Sequence, residues 1–489
     1  MKNLKDLLYK VSLELVIGPT DISVEQVHFD SREINNGDVF IALKGTAIDG
    51  HQFIEKAVAS GASAVILEDL PDYQSDSVTY VQVNNAHKAL ALISANYYDN
   101  PSRDLKLVGV TGTNGKTTTT SLLYQLFKNL GFKTGLISTV EILINGKVIP
   151  TKHTTPDPMT INSHLATMRD AGVDYCFMEV SSHGIDQERV TGLHFVGGMF
   201  TNLTHDHLDY HNTFAEYRDV KKRFFDMLPS QAFALTNRDD KNGEFMLQNT
   251  KARKLGYALK TYTDYRAQIV ENQFGGLQLK VNNQELWTKM IGEFNAYNVL
   301  AIYGCAIELG LESTEVLEVI SQLDGVSGRF QYFTTAAQHI TAIVDYAHTP
   351  DALKNVLETI NAIRTRNEKL ITIVGGCGGD RDKTKRPVMA NIAASLSDQV
   401  IFTSDNPRTE DPDAILEDME AGVEPIDFKK TLTITDRKNA IKTAVQMAQE
   451  NDIILIAGKG HETYQEINGK RSDFNDRMIV ADLLNQLNK

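Results

Sequence analysis

Apolar residues along this chain fall in short runs, and each run breaks off into a polar or glycine-rich stretch before a longer amphipathic segment begins. Short apolar runs bounded by turn residues read as strands buried on both faces. Their alternation with helical patterning predicts a parallel α/β architecture. In the first part of the chain, 39–43 and 64–67 are expected strands, with a helix over 53–59 between them. Asn100-Pro101-Ser102 reads as a linker, because a residue before proline is pushed out of helical conformation. A second part opens with the apolar strand 105–110, which runs directly into Thr111-Gly112-Thr113-Asn114-Gly115-Lys116-Thr117-Thr118 and then a helix reaching Leu130. Further strands are expected at 134–137, 175–180 and 197–201. A third part begins near Arg329, where 340–344, 369–374, 399–403 and 452–457 each run into a polar or glycine-rich loop. Ligands of open parallel sheets bind at the carboxyl ends of the strands, so these four loops predict one crevice. The expected divisions are 1–102, 103–328 and 329–489.

Bulk properties narrow the class. A length of 489 residues exceeds one ordinary core and predicts roughly two to four domains. With 42% hydrophobic and 23% charged residues the balance is that of a soluble globular protein. A net charge of −14 argues against nucleic acid or an anionic membrane as the main partner. Anionic ligands must then be met by local clusters of Lys, Arg and backbone N–H. Cys176, Cys305 and Cys377 lie far apart with no metal-ligand spacing, which fits a reducing compartment. The start Met1-Lys2-Asn3-Leu4-Lys5-Asp6 lacks a signal-peptide core, and no apolar run approaches the roughly 20 residues of a membrane span. The expected location is the cytoplasm, and the expected state is a monomer.

Residues 111–118 sit between a buried strand and a helix, where glycine-rich backbone can wrap phosphates against a helix N-terminus. Lys116 suits the β/γ-phosphates and the Thr117 hydroxyl suits Mg²⁺. Gly112 precedes Gly115 by three positions, closer than in the general phosphate-loop pattern. Five of the thirteen histidines lie between His183 and His211. Glu179 closes one expected strand, and 202–211 follows the next. Carboxylate and imidazole beside a phosphate loop suit Mg²⁺ shared with a nucleotide, with Glu179 as ligand and a histidine reaching metal or phosphate. A zinc site is the rival, without supporting cysteine or His-Glu-x-x-His spacing.

Gly112–Thr117, Glu179-Val180-Ser181-Ser182-His183, Asp206-His207-Leu208-Asp209, Asn295-Ala296-Tyr297-Asn298, Gly328-Arg329-Phe330 and Asp345-Tyr346-Ala347-His348-Thr349-Pro350 resemble the Mur ligases in order and approximate spacing. The likeness runs over essentially the whole chain, and the short glycine spacing is the form that family uses. It implies a three-domain α/β fold, with a small α/β N-terminal domain for a UDP-sugar, a central P-loop ATPase-like parallel-sheet domain and a Rossmann-like C-terminal domain. It implies an ATP-dependent ligase that phosphorylates a carboxylate and lets an amine displace the phosphate. By the same resemblance Gly112, Thr113, Asn114, Gly115, Lys116, Thr117 and Thr118 hold ATP phosphates, and Asn295, Asn298 and Arg329 meet the nucleotide. Asp345 positions the ribose or the closing domain. Thr117, Glu179, His207 and a carbamylated Lys221 serve Mg²⁺; Lys116, Glu179, His207 and Lys221 form the catalytic set. The pattern Tyr-x-x-x-Lys-x-x-x-Phe selects Lys221, with Lys222 as its neighbour.

Within the family, 376–383, Asp405-Asn406-Pro407-Arg408 and Gly458-Lys459-Gly460-His461-Glu462 resemble the enzyme that adds the third residue, in its diaminopimelate-specific branch. The implied reaction joins meso-2,6-diaminopimelate to UDP-N-acetylmuramoyl-L-alanyl-D-glutamate in peptidoglycan precursor synthesis. Diaminopimelate carries a carboxylate beside its distal amine, and Arg408 and Arg381 each offer a guanidinium fork for it. Glu462 and the Gly458 carbonyl suit the ammonium, and Asp405, Asn406 and Pro407 complete that site. Thr154, Thr155, Ser181, Gln187 and Arg189 match positions that hold the muramoyl dipeptide. Ser31, Thr46, Ala47 and Ile48 match positions that hold the uridine diphosphate. The alternatives are the same reaction with L-lysine, a folylpolyglutamate synthetase-like ligase, and a regulatory P-loop NTPase that needs no amino-acid site. Because the amine site and the phosphate loop fall on different domains, the last one is expected to swing inward.

Overall fold

In the computed structural model, residues 2–45, 48–151, 153–204, 210–211, 213–379 and 381–489 are described. Three large sheets follow one another along the chain, with two further two-stranded ones among the described residues. The first has five strands in the order Leu13–Ile17, Thr79–Val83, Ala64–Leu67, Val39–Ile41, Val27–His28. All its pairings are parallel except that of the outermost Leu13–Ile17 with Thr79–Val83. The expected linker forms a tight joint: Asn100 adopts a left-handed backbone (φ 54) and Pro101 opens a short 3₁₀ turn.

The second sheet has eleven strands. Its parallel centre runs Thr134–Ile137, Tyr175–Glu179, Lys106–Thr111, Phe195–Phe200, Phe233–Asn237, Arg253–Ala258. Antiparallel strands extend it at one edge through Ile142–Ile144 and Lys147–Ile149; at the other, Tyr265–Gln273 pairs in parallel with Arg253–Ala258 and leads into the antiparallel Gly276–Val281 and Gln284–Thr288. The third sheet has six strands in the order Gln331–Thr334, Thr341–Asp345, Ile453–Ala457, Leu370–Gly376, Gln399–Ser404, Thr431–Thr433. Only its first pair is antiparallel.

Continuous apolar strands follow from burial on both faces. In Ile453–Ala457, residues 453, 455 and 457 join one core cluster while 454 and 456 join another on the opposite face. The central sheet repeats this, with Leu107 on one side and Val108 and Val110 on the other. The helices Lys116–Asn129 and Glu293–Glu308 cover one face, and Phe214–Asp226 covers the other. With both faces sealed, the carboxyl edges of the strands remain as the exits for functional loops. No helix among the described residues is long and apolar enough to cross a membrane.

Candidate functional site

The strand Lys106–Thr111 ends in a loop whose two glycines take conformations that side chains resist. Gly112 has φ 149 and Gly115 has φ 86. A Cβ on Gly112 would lie 1.9 Å from Thr201 Oγ1, so the loop passes against the end of the neighbouring strand. Asn202 fixes it there: its Oδ1 accepts the Asn114 N–H at 2.9 Å, and its Nδ2 donates to the Asn114 carbonyl at 3.1 Å. Gly115 caps the helix Lys116–Asn129 with no side-chain bond, so that helix turns its first N–H groups and positive dipole end toward the loop. Lys116 Nζ folds back over the loop, donating to the Gly112 and Thr113 carbonyls at 2.9 Å each.

Lys221 and Lys222 sit side by side on the helix Phe214–Asp226, and the fold separates them. Lys221 is buried, with Nζ donating to the Gly112 carbonyl at 2.9 Å. Lys222 turns away and pairs with both oxygens of Asp226 at 2.7 Å. Glu179 ends its strand fully buried, accepting the Thr139 N–H at 2.7 Å and the Thr139 hydroxyl at 3.2 Å. Thr139 in turn donates to Thr154 Oγ1 at 3.0 Å. Thr155 donates to the Glu179 carbonyl at 2.9 Å and accepts the Ser181 N–H at 3.0 Å. Arg189 donates to the Thr155 carbonyl at 2.6 Å and grips Gln187 Oε1. The expected dipeptide positions thus form one bonded wall beside Glu179. His183 packs at a tilt against Tyr210, with ring centroids 4.1 Å apart. His205 and His207 lie outside the described residues, and among those described there is no group of three or more His, Cys, Asp or Glu placed to hold a metal.

Asn298 stands where a Gly115 side chain would meet it, and donates to Asn295 Oδ1 at 3.1 Å. Arg329 donates to the Thr117 hydroxyl at 3.2 Å, with its guanidinium 4.4 Å from the Tyr346 ring centroid. Asp345 accepts the Phe330 and Ala347 N–H groups at 2.6 and 2.7 Å. Burial pushes its carboxyl above the usual range, with Arg329 opposing. Its geometry is that of a brace across the entry to the third sheet.

Across the cleft, Arg408 takes a left-handed backbone (φ 56), its N–H bonded to the Glu466 carbonyl at 3.0 Å and its guanidinium reaching the Gly378 carbonyl at 3.3 Å. Asn406 Nδ2 donates to Glu462 Oε2 at 2.8 Å. Burial pushes the Asp405 carboxyl up, against the pull of Lys459 and Arg437. Burial also raises the neighbouring Cys377 thiol to about 12, so it is no nucleophile at neutral pH. Arg386, buried, holds Glu410 with two bonds of 3.0 and 2.7 Å and also reaches the Cys377 carbonyl, fastening together the loops that carry Arg381 and Arg408.

Most of these groups face one cleft of about 2270 Å³, more than twice the ~1,000 Å³ upper size of a typical single-ligand pocket. Lys116, Thr117, Glu179, Ser181, Arg189, Arg329, Arg381, Arg408, Gly458 and Glu462 line it together. Lys221 sits behind the phosphate loop, and Asn295 and Pro407 support the lining without joining it. Ser31 (buried) and Ile48 (61% exposed) lie elsewhere, on the first sheet's loops; Thr46 and Ala47 lie outside the described residues. Sequence reasoning passed over Thr139, which holds Glu179, and Asp351, whose carboxylate accepts from Asn114 at 2.9 Å. It also passed over Asp239, which accepts three backbone N–H groups and the Tyr297 hydroxyl. None of these stands in a patterned motif of its own.

Residues 23–98, 110–306 and 328–460 match, in turn, the families described as Mur ligase family, catalytic domain; Mur ligase middle domain; and Mur ligase, glutamate ligase domain. A UDP-N-acetylmuramoyl-L-alanyl-D-glutamate--2,6-diaminopimelate ligase from Cytophaga hutchinsonii is 53% identical over 487 residues, spanning 99% of this chain and all of that protein. A solved structure of a ligase of the same name is similar with a TM-score of 0.67 at 31% identity, covering 95% of this chain and 96% of that one. A folylpolyglutamate synthase of Mycobacterium tuberculosis, complexed with ADP and AMPPCP, shares the fold at a TM-score of 0.62 and 18% identity. It covers 76% of this chain and 92% of that one.

Proposed function

This chain belongs to the Mur ligase family, and from that premise we infer that it joins meso-2,6-diaminopimelate to UDP-N-acetylmuramoyl-L-alanyl-D-glutamate with cleavage of ATP to ADP and phosphate. The observation that carries the reading is the shared cleft, with a phosphate loop on one wall and, on the other, Arg408 beside the Asn406–Glu462 pair. The full-length likeness to ligases of that name supports it.

The chemistry is mostly placement and charge stabilisation. The phosphate loop and Lys116 hold the ATP phosphates against the helix N-terminus, so that the γ-phosphoryl group passes to the substrate carboxylate and ADP is left. The amine of diaminopimelate then attacks the acyl phosphate carbon, an amide bond forms, and inorganic phosphate departs with the acyl C–O bond electrons and, in the net balance, the proton the nitrogen loses. Asn295, Asn298 and Arg329 contact the nucleotide, and Asp345 braces the closing segment. Thr154, Thr155, Ser181, Gln187 and Arg189 hold the dipeptide. Arg381 and Arg408 take the distal carboxylate, while Glu462 and the Gly458 carbonyl take the ammonium beside it.

The donor set fits Mg²⁺: Glu179 and Thr117 offer hard oxygens, and Mg²⁺ is commonly held by one or two carboxylates with substrate phosphates supplying the rest. Bound there, Mg²⁺ would neutralise charge on the phosphates. Lys221 is the lysine we assign as carbamylated, since it and not Lys222 points at the phosphate loop; His207 joins this set by its motif. Ser31, Thr46, Ala47 and Ile48 remain the proposed uridine diphosphate contacts. We divide the chain at 102/103 and 328/329, with the protein acting as a cytoplasmic monomer.

The test is product formation and phosphate release with purified protein, the nucleotide dipeptide and a panel of amino acids. Release requiring both the dipeptide and meso-diaminopimelate is expected; equal turnover of L-lysine, or release without an amino acid, would overturn the reading.

A further inference from the structure

Beneath the loops that carry Asn406 and Glu462 lies a lysine with no solvent contact. Lys459 follows the strand Ile453–Ala457, and its side chain is 0% exposed. Its Nζ donates to Asn406 Oδ1 at 3.1 Å and to Glu462 Oε2 at 2.9 Å, with Asp405 Oδ1 at 3.8 Å. The Tyr464 ring centroid is 5.5 Å away. Asn406 Oδ1 also accepts the Glu466 N–H at 2.9 Å, while its Nδ2 donates to Glu462 Oε2. The amide orientation is therefore dictated: two donors meet its oxygen, and a carboxylate meets its nitrogen. Both donors to the Glu462 side chain fall on Oε2, and Oε1 takes neither.

The layer below is equally fixed. Arg437 and Asp476, both with fully buried side chains, pair through bonds of 2.9 and 2.7 Å. Arg437 also donates to the Ser404 and Ala457 carbonyls, the last residues of the two strands that release these loops. A buried ammonium carries a desolvation cost of several kcal/mol unless it is well paired. Removing this one leaves Asp405 and Glu462 as two carboxylates in the same buried space, where like charges disfavour each other.

We propose that Lys459 is a positioning residue for the amino-acid substrate: it fixes Asn406 and Glu462 so that Glu462 Oε1 faces the incoming ammonium, and it holds the pocket's negative charge low enough to favour a zwitterionic end group over a simple cation. The proposal rests on the functional reading above. The full-length Lys459→Met variant removes the charge while keeping an unbranched side chain. It is expected to raise KM for diaminopimelate by about tenfold or more, with KM for ATP unchanged. The ratio of kcat/KM for diaminopimelate to that for L-lysine should fall, because the pocket becomes more negative. Adding Glu462→Gln should cost Lys459→Met little more, since both act through one carboxylate. An unmoved diaminopimelate KM, a parallel rise in KM for ATP, an unchanged selectivity ratio or additive losses would overturn the proposal. If Lys459→Met fails to fold, Asn406→Leu removes the oriented amide but leaves Lys459 paired with Glu462. A selective rise in diaminopimelate KM is then expected, and an unchanged KM would refute the proposal. Wild-type enzyme that ignored diaminopimelate would instead refute the functional reading.

Discussion

Arg408 is held in a backbone conformation that non-glycine residues adopt at a cost, and two loops converge to keep it there. That investment suits a side chain whose fork must be aimed. Arg408→Ala should lower kcat/KM for diaminopimelate by roughly 100-fold, within the ~2–5 kcal/mol typical of a desolvated charge pair losing one partner. ATP binding measured by titration should survive; unchanged turnover would remove Arg408 from the site. At this scale the sequence was only partly legible. Gly112, Lys116 and Glu179 stand in patterned segments, but Lys221 and Lys222 are chemically identical neighbours. The Tyr-x-x-x-Lys-x-x-x-Phe pattern selects Lys221, and helix phase and packing are what direct it at the phosphate loop and its neighbour at Asp226. Thr139 has no motif, and its hold on Glu179 exists only because two strand ends meet.

The parallel strands were readable because burial on both faces makes them continuously apolar. The expected run 134–137 is the observed Thr134–Ile137, and 399–403 differs from Gln399–Ser404 by one residue. The antiparallel wing Tyr265–Thr288 was missed, because one of its faces meets solvent and its residues alternate between buried and exposed. Its signal was Asn282-Asn283, both at positive φ (43° and 72°), the two-residue turn that joins Gly276–Val281 to Gln284–Thr288. Helix caps are legible too. Thr213 accepts the Glu216 N–H at 3.1 Å and starts the helix that carries Lys221. Thr213→Ala should destabilise the protein by about 1 kcal/mol in urea unfolding; an unchanged midpoint would count against the cap.

Between the second and third sheets the chain makes bonds no single segment encodes. Asn114 on the phosphate loop donates to Asp351, which lies in the first turn of the helix Pro350–Ile363. Asp351→Ala should reduce turnover about tenfold at saturating substrates, from losing one hydrogen bond to a charged group, with far-UV dichroism unchanged. Undiminished turnover would deny that bridge a part in the working arrangement. At the same joint, Gly328 (φ 67) lies so close to the Gly460–His461 backbone that a Cβ would fall 2.0 Å from the His461 N. His461 is pushed down to about 4 from 6.5, first by burial and then by Arg329. The unfolded chain therefore takes up this proton near pH 6.5 and the native state only near pH 4. The associated stability is fully present above pH 6.5 and is lost as pH falls toward 4, about 3 kcal/mol in all. Urea midpoints for the wild type should decline across that window. His461→Phe should flatten the decline, and an equal slope in both proteins would assign it elsewhere.

The sequence by itself determined the strand-and-loop rhythm, the phosphate loop and the family, because each is written in contiguous residues whose physics is local. Tertiary structure decided which loops share a cleft, and that Lys459 lies buried among Asp405, Asn406 and Glu462. Those outcomes depend on strand order, since Ile453–Ala457 inserts beside Thr341–Asp345 and Leu370–Gly376. That insertion, a product of burying both faces of one sheet, sets Glu462 against Asn406 from 56 residues away.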